Sequence, residues 1–135
     1  MSQQAALSEQ EMNNWVREQF QKANGYLAEK GILTDQVLTK ESRYLAPHIA
    51  VWKFSLRGLT DKVWAISGVV PTDHVDAKVA KDARDALRHF SLRWQVRAEE
   101  ILQSQPNETE RKFAEVLVNH AEACYELVDN EQLWK

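Results

Sequence analysis

Apolar residues recur every three or four positions through three stretches of this chain and every second position through two others. Those two periods set the expected elements. The longest helical pattern runs from Asp76 to Ser104, where Val79, Ala83, Leu87, Phe90, Trp94, Ala98 and Ile101 fall on one face. Either Asp73 or Asp76 can cap its start, and Gln105-Pro106 ends it. A first helix is expected over residues 9–30. Ser8 and Glu11 form a capping box, Leu7 and Met12 stand in staple positions, and Gly31 closes the last turn with Ile32 and Leu33 able to fold back. Its stripe is Met12, Val16, Phe20, Ala23 and Leu27, widened by Trp15. A third helix opens where Asn107 and Glu110 repeat the capping box. Phe113, Leu117, His120, Cys124 and Leu127 form its seam, beside Val116, Ala121 and Val128. Asn130 ends it, and Leu133-Trp134 is expected to fold back as an apolar anchor.

Between the first and second helices the period shortens to two. From Ile49 to Arg57, Ala50, Trp52, Phe54 and Leu56 alternate with Lys53, Ser55 and Arg57, and a second β-rich run spans Lys62 to Val70. Gly58-Leu59-Thr60-Asp61 supplies the turn. Pairing Leu56 with Trp64 and Phe54 with Ile66 gathers five large side chains on one face, whereas a one-residue slip scatters them, so the first register is expected. It sets Gly68 opposite Trp52. Residues 32–47 lack a clear period and are expected to cross the surface as a loop, with a helical turn possible around Asp35 to Leu38 and Ala46 extended before Pro47. Pro71-Thr72-Asp73-His74 is expected to break the second strand. The fold class that follows is α+β: one antiparallel β-hairpin packed against three helices, in the order αββαα, with the long helix covering the hairpin's apolar face.

Composition narrows the class without naming a function. The chain has 135 residues, enough for one domain over 1–135 with a core of its own, and residues 1–7 are expected to fray. Net charge is −3, so nothing in the total attracts nucleic acid. Arg84, Arg88, His89, Arg93 and Arg97 interleave with Asp82, Asp85, Glu99 and Glu100, which describes a solvated helix face rather than a phosphate track. No apolar run is long enough for a membrane span and the start does not resemble a signal peptide, so a cytoplasmic protein without membrane partners is expected. The sequon Asn107-Glu108-Thr109 is then idle.

Five tryptophans are many for this length, and Trp15, Trp52, Trp64 and Trp94 fall on apolar faces, where packing accounts for them. The alternative is an aromatic pocket at the hairpin–helix junction, walled by Trp52 and Trp64, with Thr72, Asp73 and His74 at its rim. Those three place a hydroxyl, a carboxylate and an imidazole where a strand meets the longest helix, whose N-terminus attracts anions. Turn and cap chemistry uses the same residue types. His120 and Cys124, four apart, are neighbours on one helix face, yet lack the further ligands of a metal site and any setting that activates a thiol. No Walker loop, dinucleotide fingerprint, zinc-protease motif or nucleophile elbow occurs, and no cofactor is expected.

The run Trp64-Ala65-Ile66-Ser67-Gly68-Val69-Val70-Pro71-Thr72-Asp73-His74, followed by Leu87-Arg88-His89-Phe90-Ser91-Leu92-Arg93-Trp94, resembles a family of small bacterial proteins of unknown function, a likeness that extends from Trp15 onward. The resemblance implies a bacterial cytosolic origin and no activity. Two functions are therefore expected to compete. One is a non-catalytic module that self-associates as a homo-oligomer, because a lone hairpin would leave its edges and Val51, Val63 and Ala65 uncovered. The other is a small enzyme or small-molecule-binding protein using the pocket beside His74.

Overall fold

A computed structural model describes residues 7–135, so the expected frayed start lies, but for Leu7, outside the described residues. In chain order the elements are α1 (Glu9–Glu29), β1 (Thr34–Val37), β2 (Arg43–Leu45), β3 (Ile49–Leu56), β4 (Lys62–Gly68), β5 (Asp73–Asp76), α2 (Ala83–Gln103) and α3 (Glu108–Asp129). The chain is mixed α+β, a helix followed by strands and then two helices. The expected hairpin is β3–β4, but it forms the middle of an antiparallel sheet of five strands among the described residues.

Both capping boxes form: Ser8 and Glu11 close the start of α1, Asn107 and Glu110 that of α3. Each satisfies two backbone N–H groups that the helix leaves without partners. At the end of α1, Gly31 takes φ 79°, its N–H donates to Ala28 and that of Ile32 to Leu27, a Schellman closure. That closure turns the chain straight into β1.

Several expectations are corrected. Residues 32–47 are not a surface loop, because β1 and β2 both pair with β3, along its C-terminal and N-terminal halves. Short strands with mixed polarity carry little periodic signal, and they exist because β3 offers them an edge. The β3–β4 register is also different. Trp52 pairs with Ala65 and Phe54 with Val63, while Trp64 faces Lys53 and Ile66 faces Val51. An odd shift of three residues from the expected pairing turns β4 over, so Trp64 and Ile66 lie on the opposite face from Trp52 and Phe54.

Pro71 to His74 does end the second run, as expected, but does not deliver the chain to the long helix. Pro71 interrupts β4, but Asp73–Asp76 returns along its free edge as β5, with Asp73 opposite Ile66 and His74 opposite Ala65. The start of the long helix is also different. α2 begins after Asp82, whose side chain accepts from the Asp85 N–H; Asp76 instead caps a separate 3-10 turn, Ala77–Val79. The Trp64 indole N–H is shared between the carbonyls of Ala77 and Ala80, at 3.3 and 3.2 Å, and so ties that turn to the sheet. Val79, assigned to the helical stripe from its spacing, is exposed.

The sheet has a core on each face. On one side α1 lays Ala23 and Leu27 against Trp52, Phe54, Val63 and Ala65, joined by Phe20 and Tyr44. Phe20 meets Trp52 edge-on at 5.9 Å and Tyr44 lies 4.9 Å from the same ring. On the other, α2 and α3 enclose Val51, Trp64 and Ile66 with Leu87, Phe90 and Trp94. α2 and α3 run antiparallel: the Ser91 hydroxyl donates to the Ala121 carbonyl at 2.8 Å, and the Arg84 guanidinium to Val128 at 2.9 Å. The buried seam of α3 is Ala114, Leu117, Ala121, Cys124 and Val128, rotated from the expected one, so that Phe113 is half-exposed. Trp134 does fold back: its indole N–H donates to the Leu127 carbonyl, and Arg43 and Arg84 lie over its ring.

Candidate functional site

Alternation along β5 sends Asp73 toward the α2 side of the sheet and His74 toward the α1 side. In a central strand these two side chains would be separated by the sheet. At the first residues of an edge strand both reach the rim, and the two helical layers meet there. Asp73 Oδ2 accepts from the Trp94 indole at 3.1 Å and from Arg93 Nε at 3.2 Å, both on α2. Its Oδ1 accepts from the His74 backbone N–H at 2.8 Å and stands 3.5 Å from the Tyr26 hydroxyl of α1. One carboxylate therefore binds a strand and two helices together.

Tyr26 completes the constellation. Its hydroxyl lies 3.0 Å from His74 Nδ1, the rings meet edge-on at 5.5 Å, and the Lys30 ammonium sits 5.3 Å from the phenol centroid. A phenol has one hydrogen and here two acceptors. When neutral His74 carries its proton on Nε2, Tyr26 donates to Nδ1. When the proton is on Nδ1, that N–H donates to the phenol oxygen and the phenol hydrogen turns to Asp73. Asp73, Tyr26 and His74 thus form a short proton-bearing chain. Burial raises the Tyr26 phenol above its ordinary pKa, and the Asp73 carboxylate adds to that while Arg93 opposes it. Burial lowers the His74 imidazole, with Arg93 and Lys30 pushing the same way and Asp73 pulling against them. Both groups are held in their neutral forms near pH 7.

These residues stand at the edge of a groove of about 890 Å³. Lys30 and Tyr26 form one wall and Pro71 to His74 the base. The other wall is the flank of α2 that carries His89, Leu92, Arg93, Val96, Arg97 and Glu100, completed by Phe113 of α3. Leu92, Val96 and Phe113 are each about half exposed, at 48%, 58% and 49%.

Of the site residues expected from sequence, Thr72, Asp73 and His74 come together on this groove, and Trp52 and Trp64 do not. Trp52 and Trp64 are 1% and 0% exposed on opposite faces of the sheet, so the pocket they were to wall does not exist. Nor is the segment at the N-terminus of α2, which begins ten residues after Asp73. The anion cradle expected from that helix end is therefore lost. Trp94, assigned to the helical stripe, supplies the indole instead. Tyr26 and Arg93 were missed because each borders an apolar stripe and reads in one dimension as ordinary flank.

Cys124 is fully buried and its thiol is pushed up to about 12 by desolvation, which leaves it unreactive. Among the described residues no group of three or more His, Cys, Asp or Glu side chains is arranged to hold a metal ion. Among the same residues no helix is long and apolar enough to cross a membrane. The chain belongs to the family described as a domain of unknown function (DUF4826), whose model matches residues 9–134. No curated protein and no solved structure matches it.

Proposed function

We propose that this member of the DUF4826 family binds a small organic molecule in the groove between the C-terminal end of α1, β5 and the α2–α3 pair. The observation that carries the reading is the Asp73 carboxylate. It receives an indole, a guanidinium and a backbone N–H within 3.2 Å at the base of a groove of about 890 Å³, a size in the range of ligand sites. Such a network holds Tyr26 and His74 in fixed positions before a ligand arrives, which lowers the entropic penalty of binding. Tyr26 and His74 then offer a donor and an acceptor beside an apolar wall. The same pair is suited to moving a proton, so a small enzyme is the catalytic form of this reading. A bacterial cytosol is the setting proposed with it.

A metabolite screen followed by melting temperature tests the proposal. A ligand at a hundred times its Kd stabilises by about 2.7 kcal/mol, on the order of 8 °C for a domain of this length. Val96→Arg fills the groove from an exposed helix position and is expected to abolish the shift without lowering the unliganded melting temperature. A shift that survives this variant would place the ligand elsewhere.

Self-association is the second reading, on different grounds from those in the sequence. Val51, Val63 and Ala65 are covered by the helices, so they no longer call for a partner. The exposed Leu92, Val96 and Phe113 support a homodimer instead, as an apolar strip that a second copy would cover. Sedimentation at low micromolar concentration separates the two: a dimer dispersed by Phe113→Lys favours this reading, and a monomer of 15.6 kDa removes it.

A further inference from the structure

The charges around the groove do not cancel evenly. Three permanent cations, Lys30, Arg93 and Arg97, face two carboxylates, Asp73 and Glu100. Arg93 and Asp73 are bound to each other, which removes both from the account. Glu100, Lys30 and Arg97 make no ion pair among the described residues. Among the permanent charges the remainder is one positive charge in excess; the imidazoles of His74 and His89 also face the groove. Burial keeps His74 from adding a second. The excess lies beside Leu92, Val96 and Phe113, three apolar side chains about half open to water.

From this juxtaposition we infer that the ligand is a monocarboxylate with an apolar body, its carboxylate held by Arg97, with the Lys30 charge on the opposite wall adding to the attraction, and its body laid on Leu92, Val96 and Phe113. The inference rests on the groove being the binding site and adds the class of molecule. A guanidinium fits a carboxylate with two parallel hydrogen bonds, and one excess charge matches one negative charge. A phosphate dianion would bring two negative charges to one positive charge in excess, with the Glu100 carboxylate on the same groove, an unfavourable balance. An ammonium ligand would meet Lys30 and Arg97 with only Glu100 in its favour. An apolar body without charge would leave both cations without a partner, although it could still occupy the wall. Tyr26 and His74 stand beside Lys30, across the groove from Arg97, where a carbonyl or hydroxyl on the body would find a donor.

The test uses the full chain and three bodies, phenyl, indolyl and naphthyl, each on a two-carbon arm as the acid, the primary amide and the amine. Affinity is read by calorimetry at low and high salt. The expected result is that at least one acid binds about tenfold or more tighter than its amide, with the amine weaker still, and that added salt narrows the gap. Arg97→Gln is expected to lower affinity for the acid about tenfold and leave the amide unchanged. Arg97 is exposed, so the variant folds; Lys30→Gln, also exposed, gives a second reading of the same effect. If acid and amide bind alike, the charge inference is overturned while the groove stands. If the amine binds best, Glu100 is the recognising group and the inference is overturned too. If none of the nine compounds binds while the metabolite screen gives a shift that Val96→Arg abolishes, the class is overturned and the groove reading stands; if the screen also gives no such shift, both fall.

Discussion

Gly68 shows how one residue can be required by its neighbours rather than by its own turn. It sits at φ +134°, and a Cβ there would press into the His48 carbonyl oxygen and lie 2.7 Å from the Ile49 Cα. Backbone, unlike a side-chain tip, cannot move aside cheaply. Gly68→Ala is therefore expected to destabilise by about 2 kcal/mol or more, the combined effect of a strained φ and a backbone clash, read from urea unfolding. His74 makes a prediction in pH. Its folded pKa lies below the unfolded value of about 6.5, so protonation favours the unfolded chain. Its contribution is complete above that value and falls away as pH drops through it toward the lower folded pKa. Melting temperature measured at pH 7.5 and 5.5 should fall less on acidification in His74→Gln than in the unmodified chain. An equal fall in both would mean that His74 titrates alike folded and unfolded.

Among the elements, the first and third helices were legible because their ends carry local chemistry, whereas the start of α2 was hidden by three candidate caps, Asp73, Asp76 and Asp82. Ser8, Gly31 and Asn107 each act on backbone groups within four residues, and such effects do not wait for a tertiary partner. Asn107→Ala should lower stability by about 1 kcal/mol through loss of the cap, measured by the same unfolding experiment. The rotated seam of α3 gives a paired prediction. Phe90→Ala, at a fully buried position, should cost about 3–5 kcal/mol. Phe113→Ala, at a half-exposed one, should cost well under that, about 1 kcal/mol or less. Comparable losses in the two variants would restore the seam expected from spacing. The strands were harder. β3 and β4 are buried on both sides, with Ile49 to Trp52 and Val63 to Ser67 enclosed without interruption. A sheet covered by helices on both faces removes the polar side that selects a register.

For the whole molecule, the point of convergence is the rim of the sheet where Asp73 is bonded to α2 and lies within reach of α1. Asp73→Ala should cost about 1–3 kcal/mol, the range for hydrogen bonds to a charged group. Hydrogen exchange should quicken in β5 and in the last turns of α1, and not in the cap of α3. A uniform change across the chain would deny Asp73 its joining role. Part of this rim was legible in the sequence. Thr72, Asp73 and His74 are polar types clustered after a strand, and the structure does bring them onto one groove. Their partners were not legible. Tyr26 is 47 residues from Asp73, and nothing local in either segment refers to the other.

The sequence by itself determined both ends of the first and third helices and the end of the second, that two β-rich runs form a hairpin between the first helix and the last two, and which polar cluster breaks the second run. All of these follow from contacts a few residues apart, written in the order of the chain. Only tertiary structure decided that the sheet has five strands and two covered faces, that β4 is turned over relative to the expected pairing, and that Asp73 meets Trp94, Arg93 and the His74 backbone N–H. Edge strands need an edge to pair with, and a strand wrapped on both sides carries no periodic mark of its face. The groove consequently belongs to the packing of layers, and no single stretch of the chain contains it.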